Sequence, residues 1–352
     1  MTDHPRSGRV HRRPTINDVA QRAGVSKSLV SLALAGSPRV AHHSRTAIMT
    51  AAAELGYRPN AAARSLAQRR TGTVGVLVLT LHNPVFAEIL DGLQVRLREH
   101  GIDCMLVTGD ADPERERAVL DTLLDRQVEG LVLIAHRQRF EDLERLAAEC
   151  PITVITRHEP GIPGLDSIGN DDTLGAGLAV EHCYHLGHRR IWHVTGGDSP
   201  VLNARQVGYR QAMHRLGLAA QAHCIPGDIT EEAGYAGARI AMSTSAPPTA
   251  LLMGNDLAAI GALAAAKDLG LSVPQDISIV GYDGISLGGL RSIDITTIAQ
   301  PLTDLGSRAA DLLMARIREP GGPSRAILVE PALTARGSTG PAPHSDLGPT
   351  SR

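Results

Sequence analysis

The stretch from Thr15 to Leu34 constrains the fold most, because its apolar residues follow the period of an α-helix on both sides of one glycine. The first half predicts a helix with one buried face, formed by Ile16, Val19, Ala20 and Ala23. Thr15 can cap this helix, Gly24 can end it, and Ser26 can cap a second helix. Two short helices joined by a tight glycine turn are typical of a helix-turn-helix.

The second helix separates its side chains into two faces. Val30, Ala33 and Leu34 point inward, whereas Ser28 and Leu32 lie on the opposite face. A third helix is predicted over about residues 43–55, and its apolar residues would pack back onto the pair: Ile48, Ala52 and Leu55. The pattern therefore predicts a small three-helix head.

The head resembles that of the lactose- and galactose-repressor (LacI/GalR) family, on the run Thr15-Ile-Asn-Asp-Val-Ala-Gln-Arg-Ala-Gly-Val-Ser-Lys-Ser. The match continues through Gly56-Tyr-Arg-Pro-Asn and Ser65-Leu-Ala, which resemble the family's hinge. The alternative is a helical bundle with no nucleic-acid role, and it does not explain why all these elements agree at the right distances.

The resemblance implies a domain order for the whole chain. We expect a disordered basic tail over residues 1–13, a helix-turn-helix domain over 14–59, and a hinge helix with linker over 60–72. An effector-binding and dimerisation body would follow over residues 73–340, and residues 341–352 would be a disordered tail.

Charge is distributed unevenly along the chain. Residues 1–70 hold 12 Lys and Arg against 3 Asp and Glu, whereas the remaining 282 residues hold 23 against 34. A basic head on an acidic body is typical of a nucleic-acid module joined to a part that stays off the nucleic acid. The chain has neither a membrane-length apolar run nor a secretory signal, and its four cysteines lack metal-type spacing. We therefore expect a cytoplasmic protein without metal or cofactor.

The resemblance also implies a set of DNA contacts. They are Thr15, Ser26, Lys27, Ser28, Ser31, Leu32, Arg39, Asn60, Ala63 and Leu66. Lys27 and Ser28 occupy positions where the family reads base edges in the major groove. Leu32 departs from the arginine usual there, so that it can touch a thymine methyl but cannot contact guanine through a guanidinium.

The predicted hinge helix, residues 60–67, is too short to be stable alone in water. In the resembled family two such helices meet in the minor groove, and the leucine matching Leu66 wedges between base pairs and kinks the DNA. The alternative is an alanine-rich linker, which would be favoured if the match ended at Tyr57.

From Val74 onwards, short apolar runs of strand type alternate with helical stretches. The predicted strands are 74–80, 104–107, 131–135, 152–156, 191–195, 251–253 and 277–282, and the predicted helices include 86–99, 113–126, 174–186, 203–216 and 256–269. This alternation predicts parallel sheets covered on both faces. The body resembles the fold of periplasmic binding proteins, which implies two Rossmann-like subdomains with crossovers near residues 167, 299 and 330.

Ligands of open α/β sheets bind beyond the carboxyl ends of the strands. The residues there that match the family's effector contacts are Asn83, Phe86, Arg157, Arg205, Asn255 and Asp283, with Arg205 opening its helix. Carboxylate, guanidinium and amide groups suit a sugar or a related polar metabolite. Helix capping remains the alternative for Asn255, Asp256 and Asp283. His82 is either a pocket-rim residue or a solvated one.

No catalytic motif emerges from the chain, which has no nucleophile elbow, phosphate loop or metalloprotease helix. We therefore predict a non-enzymatic transcription regulator, a repressor, that binds double-stranded operator DNA, a small-molecule effector and a second copy of itself, and that has no membrane partner. The rival classes are a sugar-transport protein and an enzyme on a Rossmann-like scaffold.

Overall fold

A computed structural model describes residues 14–34, 36–57, 71–157 and 161–343 of the chain. The chain divides into two units, residues 1–72 and 73–352, called here the head and the body. No helix within the described ranges is long and apolar enough to cross a membrane.

The head consists of three helices, α1 (Ile16–Ala23), α2 (Lys27–Leu34) and α3 (His42–Leu55). Thr15 begins α1 with a capping box, in which its side chain accepts from the Asp18 amide while the Asp18 carboxylate accepts from the Thr15 amide. Gly24 ends α1 with a φ of 66°, a left-handed conformation that glycine adopts without strain. The helices enclose a small core centred on Val19, Val30 and Ile48, which have no exposed surface.

The first sheet of the body has the strand order β11-β5-β4-β3-β1-β2, and all of its pairs are parallel. Its strands are β1 (Thr73–Val78), β2 (Asp103–Thr108), β3 (Leu131–Ile134), β4 (Ile152–Ile155), β5 (Leu165–Asn170) and β11 (Ala326–Val329). Its helices are α4 (Pro84–Glu99), α5 (Pro113–Asp125), α6 (Phe140–Glu149) and α11 (Leu302–Arg318). Separate apolar clusters contain alternate residues of β1, so that both faces of the sheet are covered.

The second sheet has the order β12-β10-β9-β8-β6-β7, in which only β12 runs antiparallel to its neighbour. Its strands are β6 (Ile191–Val194), β7 (His223–Ile225), β8 (Ala250–Met253), β9 (Ser278–Asp283), β10 (Thr296–Ala299) and β12 (Ala332–Thr334). Its helices are α7 (Asp172–His185), α8 (Pro200–Arg215), α9 (Glu231–Met242) and α10 (Asp256–Asp268). The body is therefore a two-sheet, mainly parallel α/β structure.

The chain passes between the two sheets three times: after β5, after β10, and between β11 and β12. These passages lie at residues 171, 300–301 and 330–331, beside the positions expected from the sequence. The three passages leave β5, β10 and β11 at their carboxyl ends. They therefore connect the two sheets at the edge where the carboxyl ends of the strands lie.

The sequence pattern missed five strands: β5, β7, β10, β11 and β12. The reason is clearest in β5, which buries Asp166 completely although its sequence is polar. Arg316 and Arg325 both donate to this carboxylate, at 2.7 and 3.0 Å, across more than 140 residues of chain. Burial alone would raise the pKa of Asp166, but the two arginines have the larger combined effect, and the net pKa is lowered. A partner so distant in sequence leaves no local signal.

Among the boundaries that differ from the sequence-based expectation, two change an interpretation. Helix α8 begins at Pro200 with Ser199 as its cap, so Arg205 lies in its second turn and does not open the helix. The expected tail over residues 341–352 begins too early, since Ala342 is buried and its amide donates to the Leu186 carbonyl at 2.8 Å. Residues 344–352, like the expected tail over 1–13, lie outside the described ranges.

Candidate effector pocket and helix-turn-helix surface

A cavity of about 360 Å³ lies in the body, lined by residues that follow strands of both sheets. All six residues expected to contact an effector line it: Asn83, Phe86, Arg157, Arg205, Asn255 and Asp283. His82 and Asp256 are not among its lining residues. The topology therefore brings together side chains that are separated by up to two hundred positions in the sequence.

Arg205 is almost completely buried beside this cavity, with 5% of its surface exposed. Its Nε donates to Asp172 Oδ1 at 2.8 Å, its Nη2 lies 3.2 Å from Asp283 Oδ1, and its Nη1 donates to the Gly254 carbonyl. The guanidinium also stacks 3.7 Å above the Tyr282 ring. Burial alone would lower the pKa of Arg205, but the two neighbouring carboxylates have the larger combined effect, and the net pKa is raised. The arginine is thus a fixed cation.

Asp283 is another buried member of this group, at the end of β9 with 4% exposure and an unusual φ of 116°. Gln300, which follows β10, donates its Nε2 to Asp283 Oδ1 at 2.7 Å. Burial raises the pKa of Asp283 to about 6, although Arg205 acts in the opposite direction. Asp283 caps no helix through the hydrogen bonds described, so the capping alternative does not account for it.

The other polar residues divide between capping and structural roles. Asn255 Oδ1 accepts from the Ala258 amide and caps α10, and Asn83 Oδ1 accepts from the Val85 amide and caps α4. Asp256 does not cap its helix through its side chain, which accepts from the Gly284 and Ile285 amides. Capping is therefore real for both asparagines. The Asn255 amide nitrogen also donates to the Ile229 carbonyl at 3.1 Å, which leaves at most one of its two N–H groups for a ligand.

Several lining residues escaped the sequence analysis. They are His136, Arg137 and Gln138 after β3, Asp198 after β6, and Gln300 after β10. The lining residues after β3 could have been found from the sequence, because that strand was predicted. Gln300 could not be found in this way, because β10 was not predicted. Among the described residues, no group of His, Cys, Asp or Glu is arranged to hold a metal ion.

The expected DNA contacts of the head fall on two kinds of position. Lys27, Ser28, Ser31 and Leu32 are exposed on α2, and Arg39 is exposed after it. Thr15 and Ser26 are capping residues, and Ser26 Oγ accepts from the Leu29 amide. Leu32 is 44% exposed, so its side chain is accessible on the surface of α2. Asn60, Ala63 and Leu66 lie outside the described residues.

Comparison with known proteins agrees with both units. The family described as "Bacterial regulatory proteins, lacI family" matches residues 15–60, and a "Periplasmic binding protein-like domain" matches residues 180–339. The ribose operon repressor of Haemophilus influenzae is 35% identical over 92% of this chain and 98% of its own length. The chain belongs to the LacI family of bacterial regulatory proteins.

Two solved structures show how far the likeness extends. The Lac repressor dimer bound to operator and the anti-inducer ONPF has a TM-score of 0.84 at 27% identity, and covers 94% of this chain and 100% of its own. A LacI-family regulator from Enterococcus faecium with bound ribose has a TM-score of 0.70 at 27% identity, over 76% of this chain and 99% of its own. As a LacI-family member, the present chain is a DNA-binding transcription regulator that responds to a small effector.

Proposed function

We propose that this chain is a homodimeric repressor whose operator affinity is controlled by a pentose, or a closely related polyol, bound in the body cavity. The observation that carries the proposal is the buried Arg205–Asp283 pair, which Gln300 and Asp172 hold at the wall of that cavity. A fixed cation beside a carboxylate suits sugar hydroxyls, because each hydroxyl both donates and accepts hydrogen bonds.

The size and lining of the cavity support a small sugar. About 360 Å³ is near the lower end of the roughly 300–1,000 Å³ typical of ligand pockets. Phe86 is the one aromatic residue among the lining residues described, and a sugar ring can pack against such a face. The ribose operon repressor relative and the ribose-bound structural neighbour favour a pentose within this class.

The proposed DNA contacts are those of the exposed face of α2 and of the hinge. Lys27 and Ser28 would read base edges, Leu32 would touch a thymine methyl, and Leu66 would wedge into the minor groove. Thr15, Ser26, Ser31, Arg39, Asn60 and Ala63 would complete the interface. The known dimer of the Lac repressor on its operator supports a second copy of this chain as partner. We propose a cytoplasmic location, because the DNA partner lies there.

Control requires only that the effector favours one arrangement of the two sheets and their helices over another. By linkage, effector and operator then change each other's affinity by the same factor, typically about 5–150-fold. Binding alone is sufficient for this role, and we propose no enzymatic activity.

A gel-shift titration of the intact chain on genomic fragments, with and without D-ribose, tests the proposal. We expect one or a few fragments to be bound specifically, with an affinity that ribose changes and D-glucose does not. Failure to bind any fragment would overturn the regulatory role. Specific binding that responds to a hexose and to no pentose would overturn the pentose assignment alone.

A further inference from the structure

The cavity wall after β3 is a network of buried polar groups that the effector contacts named above do not use. Glu116 of α5 has no exposed surface, and its Oε2 accepts from the Arg137 amide at 2.8 Å and from Gln138 Nε2 at 3.0 Å. Gln138 Nε2 also donates to the Pro113 carbonyl. These bonds hold the backbone of Arg137 and Gln138 in one position beside the cavity.

This backbone determines the tautomer of His136. The Gln138 amide, which can only donate, lies 3.1 Å from His136 Nδ1, so Nδ1 must be the acceptor. Arg157 Nη1 lies 3.4 Å from the same atom and is likewise a donor. In the neutral ring the single proton is then on Nε2.

The same neighbours keep the ring neutral. Protonation would place a hydrogen on Nδ1, against the Gln138 amide and the Arg157 guanidinium. Burial, followed by the charge of Arg157, lowers the pKa of His136 to about 3. Glu116 is the nearest carboxyl of this network, but it bonds to the Arg137 amide and the Gln138 side chain, and burial raises its own pKa.

The Nε2–H group has no acceptor among the described residues. His136 is 3% exposed, its Nε2 is fully buried, and the residue lines the cavity. A buried donor left without a partner costs about 1–3 kcal/mol, so a site of this kind favours a ligand that supplies the acceptor. None of the sequence patterns singled out this residue.

We propose that His136 is a specificity-determining residue, a permanently neutral N–H donor that selects effectors with an acceptor atom at its position in the cavity. The inference rests on the proposed function of that cavity. Glu116 and Gln138 are positioning residues, since they fix the amide that sets the tautomer. An effector that lacks the acceptor leaves Nε2–H unpaired and binds more weakly.

The tautomer is tested by ¹⁵N NMR of the full chain with labelled histidine, with the His136→Gln variant identifying the resonances. We expect His136 in the Nε2–H form from pH 8 to pH 5, with no titration, and a shift of Nε2 when D-ribose saturates the protein. A ring that carries its proton on Nδ1, or that becomes charged above pH 5, would overturn the inference whichever sugar binds.

Calorimetry with D-ribose measures the contact itself. We expect His136→Leu to weaken binding by about 10- to 100-fold, while His136→Gln, which retains an N–H donor, recovers part of the loss. His214→Leu is the matched control, an exposed histidine of α8 outside this cavity, and melting curves of all the variants identify any that unfold.

Unchanged ribose affinity in a folded His136→Leu protein would also overturn the inference. A wild-type chain that binds no ribose would instead overturn the pentose assignment, and the NMR measurement would then decide the inference.

Discussion

Arg205 and Asp283 form a buried ion pair, and their burial determines how a substitution of either residue should affect stability and binding. Removing one partner of a buried pair typically costs about 3–5 kcal/mol, because the other charge is left uncompensated. Here Arg205 has a second carboxylate, Asp172, at 2.8 Å, so a change at Asp283 does not leave the guanidinium alone. Asp283 is therefore the member of the group whose function can be tested without losing the fold.

We predict that Asp283→Asn weakens ribose binding by 100-fold or more, about 3 kcal/mol for a hydrogen-bonded charge, and abolishes the effect of ribose on DNA. Operator affinity without ribose should stay within a few-fold of wild type. Calorimetry and gel shifts measure the two quantities, with Asp304→Asn on the exposed face of α11 as the control. An equal loss of operator binding would show that Asp283 is structural.

The pH dependence of effector binding follows from the same carboxyl. The pKa of Asp283 is raised to about 6, mainly by burial, so acidification protonates it in the physiological range and removes its charge. Ribose affinity should therefore fall as the pH drops below 6, by up to about tenfold per pH unit. His136 should not contribute, because its pKa is about 3. Calorimetry from pH 8 to pH 5 tests this, and the slope should become shallower in Asp283→Asn. Asp256, whose pKa burial and the charge of Asp283 raise to about 7, is another carboxyl that titrates in this range.

Leu32 is the residue-scale test of DNA recognition. If its exposed side chain meets a thymine methyl, replacing that thymine by uracil should cost the wild type about 0.8 kcal/mol, or about fourfold in affinity. The Leu32→Ala protein should bind both operators equally. Gel shifts on matched operators give the comparison, and equal losses in the two proteins would show that Leu32 makes no such contact.

At the scale of elements, the body depends on helices that approach each other through glycines. Helices α4 and α11 cross where Gly92 and Gly306 face the opposite backbone, and a Cβ on Gly306 would lie 2.0 Å from the Ile89 carbonyl oxygen. A backbone atom cannot rotate away as a side chain can. This crossing therefore sets the distance between two helices of the first sheet, one of which is capped by the cavity residue Asn83.

We predict that Gly306→Ala lowers the free energy of unfolding of the body by about 1–3 kcal/mol or more, as expected for an overpacked contact. Gly321→Ala, at a position with no atom within 4 Å of the new Cβ, should leave it unchanged. Urea unfolding of the two variants measures the difference. Equal urea midpoints for the two variants would mean that α4 and α11 can move apart without loss of stability.

At the scale of the whole molecule, the chain connects a basic head to an acidic body through a segment that contains Leu66. The resemblance to the family implies that this leucine wedges between base pairs, which would offset an unstacking cost of a few kcal/mol by the contacts of a bent duplex. Pyrimidine–purine steps unstack most readily, so the centre of the operator should carry one. Operator binding should then depend strongly on this one leucine.

We predict that Leu66→Ala strongly weakens specific operator binding and removes the DNA bend, while non-specific binding, which comes from phosphate contacts, changes little. Circular-permutation gel shifts and a melting curve test this together. A variant that still bends DNA, or that melts well below wild type, would make Leu66 an ordinary packing residue.

The sequence by itself determined the parts of this protein whose signals are local. Helical period, caps and the glycine turn predicted the head, because residues three or four positions apart share a helix face. Alternating apolar runs and helical stretches predicted the α/β body. Positions beyond the strands, taken together with the family resemblance, predicted six residues that line the cavity.

Only the tertiary structure decided what depends on partners distant in the sequence. Strand β5 can bury Asp166 because Arg316 and Arg325 neutralise it, and Gln300 reaches Asp283 only when β10 lies beside β9. His136 becomes a fixed donor through an amide that Glu116 of another element holds in place. Burial and hydrogen bonding give these side chains their charge states and their donor or acceptor roles, and both arise from packing between segments that the sequence leaves far apart.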